Sequence, residues 1–192
     1  MPPTPARLAV LISGGGRTLL NLLDEIAAGR LPAEVPLVIA SRPCAGQELA
    51  GARGIETLVK RGTIPRAELE SILRAHRIDF VVLAGYLQMI QIPESYQGRI
   101  VNIHPALLPD FGGHGMYGDR VHEAVLRSGA RESGCTVHLV DDRYDTGPIL
   151  LQRRCAVVPG DSAGSLAARV FELEKQAYPE AIRGLIKKGS GA

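Results

Sequence analysis

A chain of 192 residues is long enough to bury a substantial core and short enough for one domain, and with 45% hydrophobic and 22% charged residues it is not a disordered polymer. Lys+Arg 22 against Asp+Glu 20 leaves a net charge of +2 with no long run of one sign, which excludes the footprint of a nucleic-acid binder. No segment approaches 18 continuous apolar residues and Met1-Pro2-Pro3-Thr4-Pro5 is not a signal-peptide start, so the sequence predicts a soluble, cytoplasmic protein without a membrane partner.

Short apolar, β-branched runs alternate with segments of helical period, the pattern of βαβ units around a parallel sheet. The first unit is a strand over residues 7–12, a glycine-rich turn over 13–18 and a helix over 19–28 stopped at Gly29. Further strands are predicted over 37–41, 56–59, 80–84, 100–104, 135–140 and 149–158, with helices between them. Pro65 suits a first helical position, and the last helix opens near Ser162 with an apolar stripe of Leu166, Val170, Leu173 and Ala177. No repeat or linker separates two halves, so residues 1–192 are expected to form a single α/β domain of doubly wound type, mostly parallel, with helices on both faces. In such sheets ligands collect beyond the C-terminal strand ends. Cys44, Cys135 and Cys155 are odd in number and lack a C-x-x-C pair, which predicts free thiols in a reducing compartment, with no zinc knuckle and no metal. Lys187-Lys188 reads as a solvated tail.

Ser13-Gly14-Gly15-Gly16-Arg17-Thr18 follows the first strand. Glycines permit positive φ and close backbone approach, and the helix start offers unpaired N–H groups to an anion. Leu19 stands where the dinucleotide fingerprint needs glycine, and no Lys-Ser/Thr pair follows the glycines. The turn therefore suits a phosphomonoester better than a dinucleotide or triphosphate, with a ligand-free tight turn as the alternative.

In Val101-Asn102-Ile103-His104-Pro105, positions 102 and 104 share one face of an extended strand, and Pro105 favours extended geometry at His104 while ending the pairing. A side-chain amide beside an imidazole can donate to the oxyanion of acyl transfer. The turn Asp145-Thr146-Gly147-Pro148 could aim Asp145 inward, favouring and orienting an imidazolium. A structurally satisfied histidine and an ordinary turn aspartate remain alternatives for each residue taken alone. His138, between apolar neighbours, reads as a packed histidine, and His114 and His122 as loop or helix-surface residues.

Four separate motifs in order, Val10-Leu11-Ile12-Ser13-Gly14 with its glycine turn, Leu83-Ala84-Gly85-Tyr86-Leu87, Val101 through Pro109, and Asp145 through Gln152, make the chain resemble the folate-dependent phosphoribosylglycinamide formyltransferase family over nearly its whole length. The resemblance implies a Rossmann-like formyltransferase fold and two small-molecule substrates, a phosphorylated glycinamide and the co-substrate 10-formyltetrahydrofolate. It implies Asn102, His104 and Asp145 as catalytic residues, a phosphate held by Gly15, Gly16, Arg17 and Thr18, and Glu174 at the glycinamide end. Folate contacts are implied for Leu87, Gln88, Met89, Ile90, Asn102, Asp141, Asp142, Arg143 and Tyr144, with Arg66 near the glutamate tail.

Arg17-Thr18 replaces the family's Ser-Asn, adding a cation beside the phosphate, whereas Gln88 replaces an arginine and removes a charge contact to folate. The end at Ala192 implies that part of the family's C-terminal extension is missing. Two folate-using relatives are rival readings: methionyl-tRNA formyltransferase calls for a tRNA-binding domain and formyltetrahydrofolate hydrolase for a regulatory domain, neither of which fits this length. A non-catalytic nucleotide-binding module is the rival from another class. Oligomeric state is open, a homodimer included. The glycines at 112, 113, 115 and 118 suit either a mobile segment after Pro109 or an ordered irregular loop.

Overall fold

The computed structural model describes residues 4–189. In chain order the strands are β1 (Ala6–Ile12), β2 (Ala33–Ala40), β3 (Glu56–Val59), β4 (Phe80–Leu83), β5 (Ile100–His104), β6 (Glu132–Leu139) and β7 (Ile149–Ala156). The helices are α1 (Arg17–Ala27), α2 (Ala45–Gly51), α3 (Arg66–Ala75), α4 (Asp119–Ser128) and α5 (Ala163–Gly189), with a 3-10 turn at Glu94–Tyr96.

The strands form one seven-stranded sheet in the order β3-β2-β1-β4-β5-β6-β7. β1 runs parallel to β2 and to β4, β2 runs parallel to β3, and β6 pairs antiparallel with β7. The sheet is thus the mostly parallel one expected, with an antiparallel edge.

Leu8, Ala9, Val10, Leu11 and Ile12 of β1 all have no solvent exposure. Because alternate residues face opposite sides, both faces of β1 are covered, and this is why the strand reads as an unbroken apolar run rather than an alternation. Leu19 and Leu22 of α1 and Leu69 and Leu73 of α3 are buried helix faces spaced at three and four residues.

The chain forms two compact units. One extends to Val101 and takes in the end of α5 from Leu185; the other is Asn102–Gly184. The core of the second contains Val121, Val125, Cys135, Val137, Leu166, Val170, Ala177 and Ile182.

Element boundaries differ from the sequence reading where pairing overrides local signal. β6 begins at Glu132 rather than at 135, because the ladder continues from Glu132 opposite Ala156. β2 begins at Ala33 despite Pro36, paired from Ala6 onward. Pro65 is the N-cap residue of α3 rather than its first helical position. In α5 the predicted stripe holds at Leu166, Val170 and Ala177, while Leu173 is only half-buried and Tyr178 and Ile182 continue the covered face.

Candidate active site

Asn102 and His104 close β5, two residues apart, and both lie within reach of one carboxylate. Asn102 Nδ2 is 3.4 Å from Asp145 Oδ1, and His104 Nδ1 is 3.5 Å from Asp145 Oδ2. Asp145 sits at φ 58, a left-handed conformation that aspartate tolerates better than most residues. Three local features hold it there. The Gly113 amide donates to Oδ2 at 3.0 Å. Gly147 packs against the Leu139 carbonyl so closely that any side chain would collide with it. Asp141 accepts from the Arg143 amide at 3.0 Å and from the Thr146 hydroxyl at 2.8 Å, tying the loop on either side of Asp145.

The segment after Pro109 is an ordered irregular loop at this point: Gly113 is bound to Asp145, and a Cβ on Gly112 would stand 3.2 Å from the Asp145 Cβ. Phe111 lies in the same segment at φ 55, an uncommon conformation for a bulky aromatic residue. Its carbonyl oxygen is 2.8 Å from His104 Nε2. The acceptor there puts a proton on Nε2, so the remaining nitrogen, Nδ1, is the one facing Asp145.

His138 joins the cluster. Its Nδ1 is 2.8 Å from the Leu139 carbonyl oxygen, and its Nε2 lies 3.2 Å from Asn102 Nδ2 and 3.4 Å from Asp145 Oδ1. The reading of His138 as a packed histidine holds for its burial, 2% exposed, but misses these polar contacts. Its apolar neighbours on β6 concealed the role. The one available signal was its parity on the strand before the Asp141 to Asp145 loop.

Burial pushes the His104 pKa below its ordinary value, against the opposing pull of Asp145 and the Phe111 carbonyl, with His138 adding to the downward shift. The sequence-based expectation that Asp145 would favour an imidazolium is therefore corrected: Asp145 acts in that direction, but desolvation is larger. For Asp145 burial works upward, yet the hydrogen bond to His138, the His104 charge and the Gly113 amide together bring its pKa below the usual value. The group is a carboxylate facing an imidazole that rests neutral.

His122 also departs from expectation. It is 4% exposed rather than on the helix surface, because its face of α4 lies with Val121 and Val125 in the core. Burial lowers its pKa, with Asp119 opposing and the His104 charge reinforcing, and its Nδ1 has no hydrogen-bond partner among the described residues. His114 is exposed, with its ring edge-on to Tyr144 at 5.5 Å between centroids.

In the first unit the glycine turn leads into α1 as predicted, two residues earlier than the reading placed the helix start. Gly16 is the N-cap residue at φ 77, and no side chain caps the helix. The first-turn N–H groups therefore have no intrahelical partner, and no acidic residue occupies that turn to repel an anion. A Cβ on Gly16 would stand 2.7 Å from the Gly46 Cα, so α2 abuts the turn directly, and the Gly46 amide donates to the Gly14 carbonyl at 3.0 Å. Ser13 is a buried hub whose hydroxyl receives bonds from the Ser41 hydroxyl at 2.7 Å and the Leu87 amide at 2.9 Å. Arg42 Nε donates to the Ser13 carbonyl at 2.9 Å. Neither Ser13 nor Gly46 stood out in the sequence, since both act through close approach of distant backbone.

Of the remaining candidates, Leu87 is exposed, Gln88 and Met89 are half-buried and Ile90 is buried. Arg66 is exposed at the start of α3, its amide bonded to Gln91 Oε1 at 3.0 Å. Asp142 and Arg143 are exposed and Tyr144 is half-buried. Glu174 is half-buried on α5. Burial, helped by the Glu174 charge, pushes the Cys135 thiol up to about 12. All three cysteines are free. Among the described residues no cluster of His, Cys, Asp and Glu could hold a metal ion, and no helix is long and apolar enough to cross a membrane.

A family model described as formyl transferase matches residues 6–182. The chain is 42% identical to the chloroplastic phosphoribosylglycinamide formyltransferase of Arabidopsis thaliana, an alignment covering 97% of this chain and 67% of that protein. It is 36% identical to the Mycobacterium tuberculosis phosphoribosylglycinamide formyltransferase, covering 98% of this chain and 88% of the other. The chain spans 61% of a further plant relative, from Vigna unguiculata, and 14% of the trifunctional purine biosynthetic protein of Drosophila melanogaster. Among solved structures, glycinamide ribonucleotide transformylase 1 from Symbiobacterium toebii superposes with a TM-score of 0.84 at 37% identity, covering 94% of this chain and 87% of that one.

Proposed function

We propose, from the premise that the chain belongs to the formyl transferase family alongside the phosphoribosylglycinamide formyltransferases of purine biosynthesis, that it moves the formyl group of 10-formyltetrahydrofolate onto the amine of N1-(5-phosphoribosyl)glycinamide with Asn102, His104 and Asp145 as its catalytic residues. The observation that carries the assignment is one carboxylate, Asp145, within 3.4 Å of the Asn102 amide and 3.5 Å of the His104 ring. The match over residues 6–182 runs through both compact units, which supports one formyltransferase domain.

The amine lone pair attacks the formyl carbon, a C–N bond forms, and the carbonyl electrons become an oxyanion. Asn102 Nδ2 and a ring N–H of His104 are the donors to that oxyanion. Both ring nitrogens of His104 are engaged, Nε2 with the Phe111 carbonyl and Nδ1 facing Asp145, so one contact gives way when the oxyanion forms. Phe111, in its strained conformation, is the contact that yields. Asp145 takes the amine proton, directly or through one water, and passes it to the departing folate nitrogen as the second C–N bond breaks. His138 keeps Asn102 and Asp145 in register.

The uncapped start of α1 with Gly15, Gly16, Arg17 and Thr18 is the proposed phosphate site. Glu174 is proposed at the glycinamide end. The folate contacts proposed in the first unit are Arg66 and Leu87 through Ile90. Those proposed in the second are Asn102 and Asp141 through Tyr144. The proposed compartment is the cytoplasm, in keeping with three free thiols, and the proposed assembly is a homodimer. Mixing the protein with glycinamide ribotide and 10-formyltetrahydrofolate and following folate absorbance tests the reading. Folate turnover that depends on the ribotide supports it. Release of formate without the ribotide indicates a hydrolase, and no turnover indicates a binding module.

A further inference from the structure

The residues that follow His104 and Pro105 leave β5 and lie against one face of β6 and β7. Gly134, Thr136 and His138 alternate along β6 and share that face. A Cβ on Gly134 would stand 2.8 Å from Leu107 Cδ2, so the bare backbone there admits the leucine. Thr136, with no solvent exposure, holds the next stretch: its hydroxyl donates to the Ala106 carbonyl at 2.7 Å and accepts from the Leu108 amide at 3.0 Å. Gln152 stands opposite Thr136 on β7, and its Nε2 donates to the Leu108 carbonyl at 2.8 Å and to the Thr136 hydroxyl at 3.0 Å. The hydroxyl thus uses its donor and both its acceptor positions, and both backbone polar groups of Leu108 are taken by side chains of neighbouring strands.

Leu108 carries this anchorage to the proposed catalytic residues. It is buried, and a Cβ on Gly112 would stand 2.5 Å from its Cδ2, so its side chain lies directly against the Gly112 backbone. Gly112 is flanked by the two residues that touch the reacting pair: Phe111, whose carbonyl is 2.8 Å from His104 Nε2, and Gly113, whose amide donates to Asp145 Oδ2 at 3.0 Å. A neutral imidazole has one N–H to place, and two acceptors compete for it, the Phe111 carbonyl at Nε2 and the Asp145 carboxylate 3.5 Å from Nδ1. The carboxylate is the stronger acceptor but the more distant. The proton rests on Nε2 only while the carbonyl stays in place.

We infer that Thr136 and Gln152 are positioning residues for formyl transfer, acting through Leu108 to keep the Phe111 carbonyl on His104 and so to select the Nε2–H form of the ring. With the proton on Nδ1 instead, Nε2 presents a lone pair rather than an N–H to the oxyanion. The consequence for turnover rests on the formyl transfer reading; the choice of ring tautomer does not.

Thr136→Val keeps the shape of the side chain and removes the hydroxyl, Thr136→Ser keeps the hydroxyl, and Gln152→Leu, the milder change, removes only the two bonds from Nε2. NMR shifts of the His104 ring nitrogens, measured on the intact labelled protein at neutral pH, report the tautomer. The parent is expected to hold the proton on Nε2, Thr136→Val to move it toward Nδ1, Gln152→Leu to move it the same way to a smaller extent, and Thr136→Ser to match the parent. In the folate absorbance assay Thr136→Val should lower kcat about tenfold with Michaelis constants close to those of the parent, and Thr136→Ser should recover the loss. A ring that stays protonated on Nε2 in both Thr136→Val and Gln152→Leu, or a change that serine does not reverse, would overturn the positioning role. A displaced proton with an unaltered kcat would overturn its part in formyl transfer. In a parent without ribotide-dependent turnover the tautomer comparison alone decides, which separates failure of the formyl transfer reading from failure of the anchor.

Discussion

His104 Nδ1 and Asp145 Oδ2 stand 3.5 Å apart, both largely buried, in a cluster where the imidazole rests neutral and the carboxylate rests charged. That polarity suits the reaction: the carboxylate is ready to receive a proton, and the neutral ring has an N–H to offer the oxyanion. Asp145→Asn retains the size and the acceptor to Gly113 while removing the charge. Turnover in the folate absorbance assay is expected to drop by roughly 100- to 1,000-fold, with the circular dichroism spectrum unchanged. Near-normal turnover would remove Asp145 from the reaction.

His138 touches Asn102 and Asp145 rather than any proposed substrate atom. His138→Ala should leave the Michaelis constants close to those of the parent and lower kcat by about tenfold, the scale of one lost hydrogen bond. Glutamine, whose side-chain oxygen can accept from Asn102, should recover part of the loss. Failure of both variants to alter kcat would show that His138 only fills space.

Much of this cluster could be read from the chain and part could not. The period of two on β5 paired Asn102 with His104, and the Asp145-Thr146-Gly147-Pro148 turn flagged Asp145, because strand parity and turn chemistry are local properties. His138 was hidden by apolar neighbours. His122 was assigned to a surface because which face of α4 is buried depends on what packs against it. Gly46 and Gly147 matter through backbone approach from distant segments, and a sequence shows a glycine without showing what it touches. The β6 boundary was displaced for the same reason: residues 132–134 are held by pairing with β7 rather than by their own propensity.

Gly147 is the most stringent of these positions. A methyl group there meets the Leu139 carbonyl, which is backbone and has nowhere to go, while Leu139 is also bound to Pro148 through its amide at 2.9 Å. Gly147→Ala should destabilise the protein by about 2 kcal/mol in urea denaturation and lower turnover through displacement of Asp145. An unchanged denaturation midpoint would mean that the turn relaxes freely.

The phosphate assignment separates from the chemistry by its kinetic signature. Arg17→Ala removes a cation next to an uncapped helix start and should raise the Michaelis constant for the phosphorylated glycinamide about tenfold, with a smaller change in kcat. Gly46→Ala should act in the same direction, because its Cβ would press within 2.8 Å of the Gly14 carbonyl and 3.0 Å of the Gly16 Cα and reshape the turn. An unaltered constant in both variants would count against a phosphate at this turn.

Acid should weaken the fold through its buried histidines before it reaches the carboxylates. His104 and His122 both have pKa values lowered by burial from the ordinary 6.5. Between the native and the unfolded values, the unfolded chain binds more protons than the native protein, so stability increases with pH in that window and falls as pH drops below about 6.5. Asp145, with its pKa lowered, adds stability above the unfolded carboxylate value, and that contribution is lost only as pH falls through its native value. Urea midpoints measured from neutral pH downward should therefore decline in a first step through the histidine range. His122→Phe, which removes the buried Nδ1 left without a partner, should flatten that step, whereas the carboxylate step at lower pH persists. Stability that stays level from neutrality down to the carboxylate range would show that neither imidazole is held neutral by the fold.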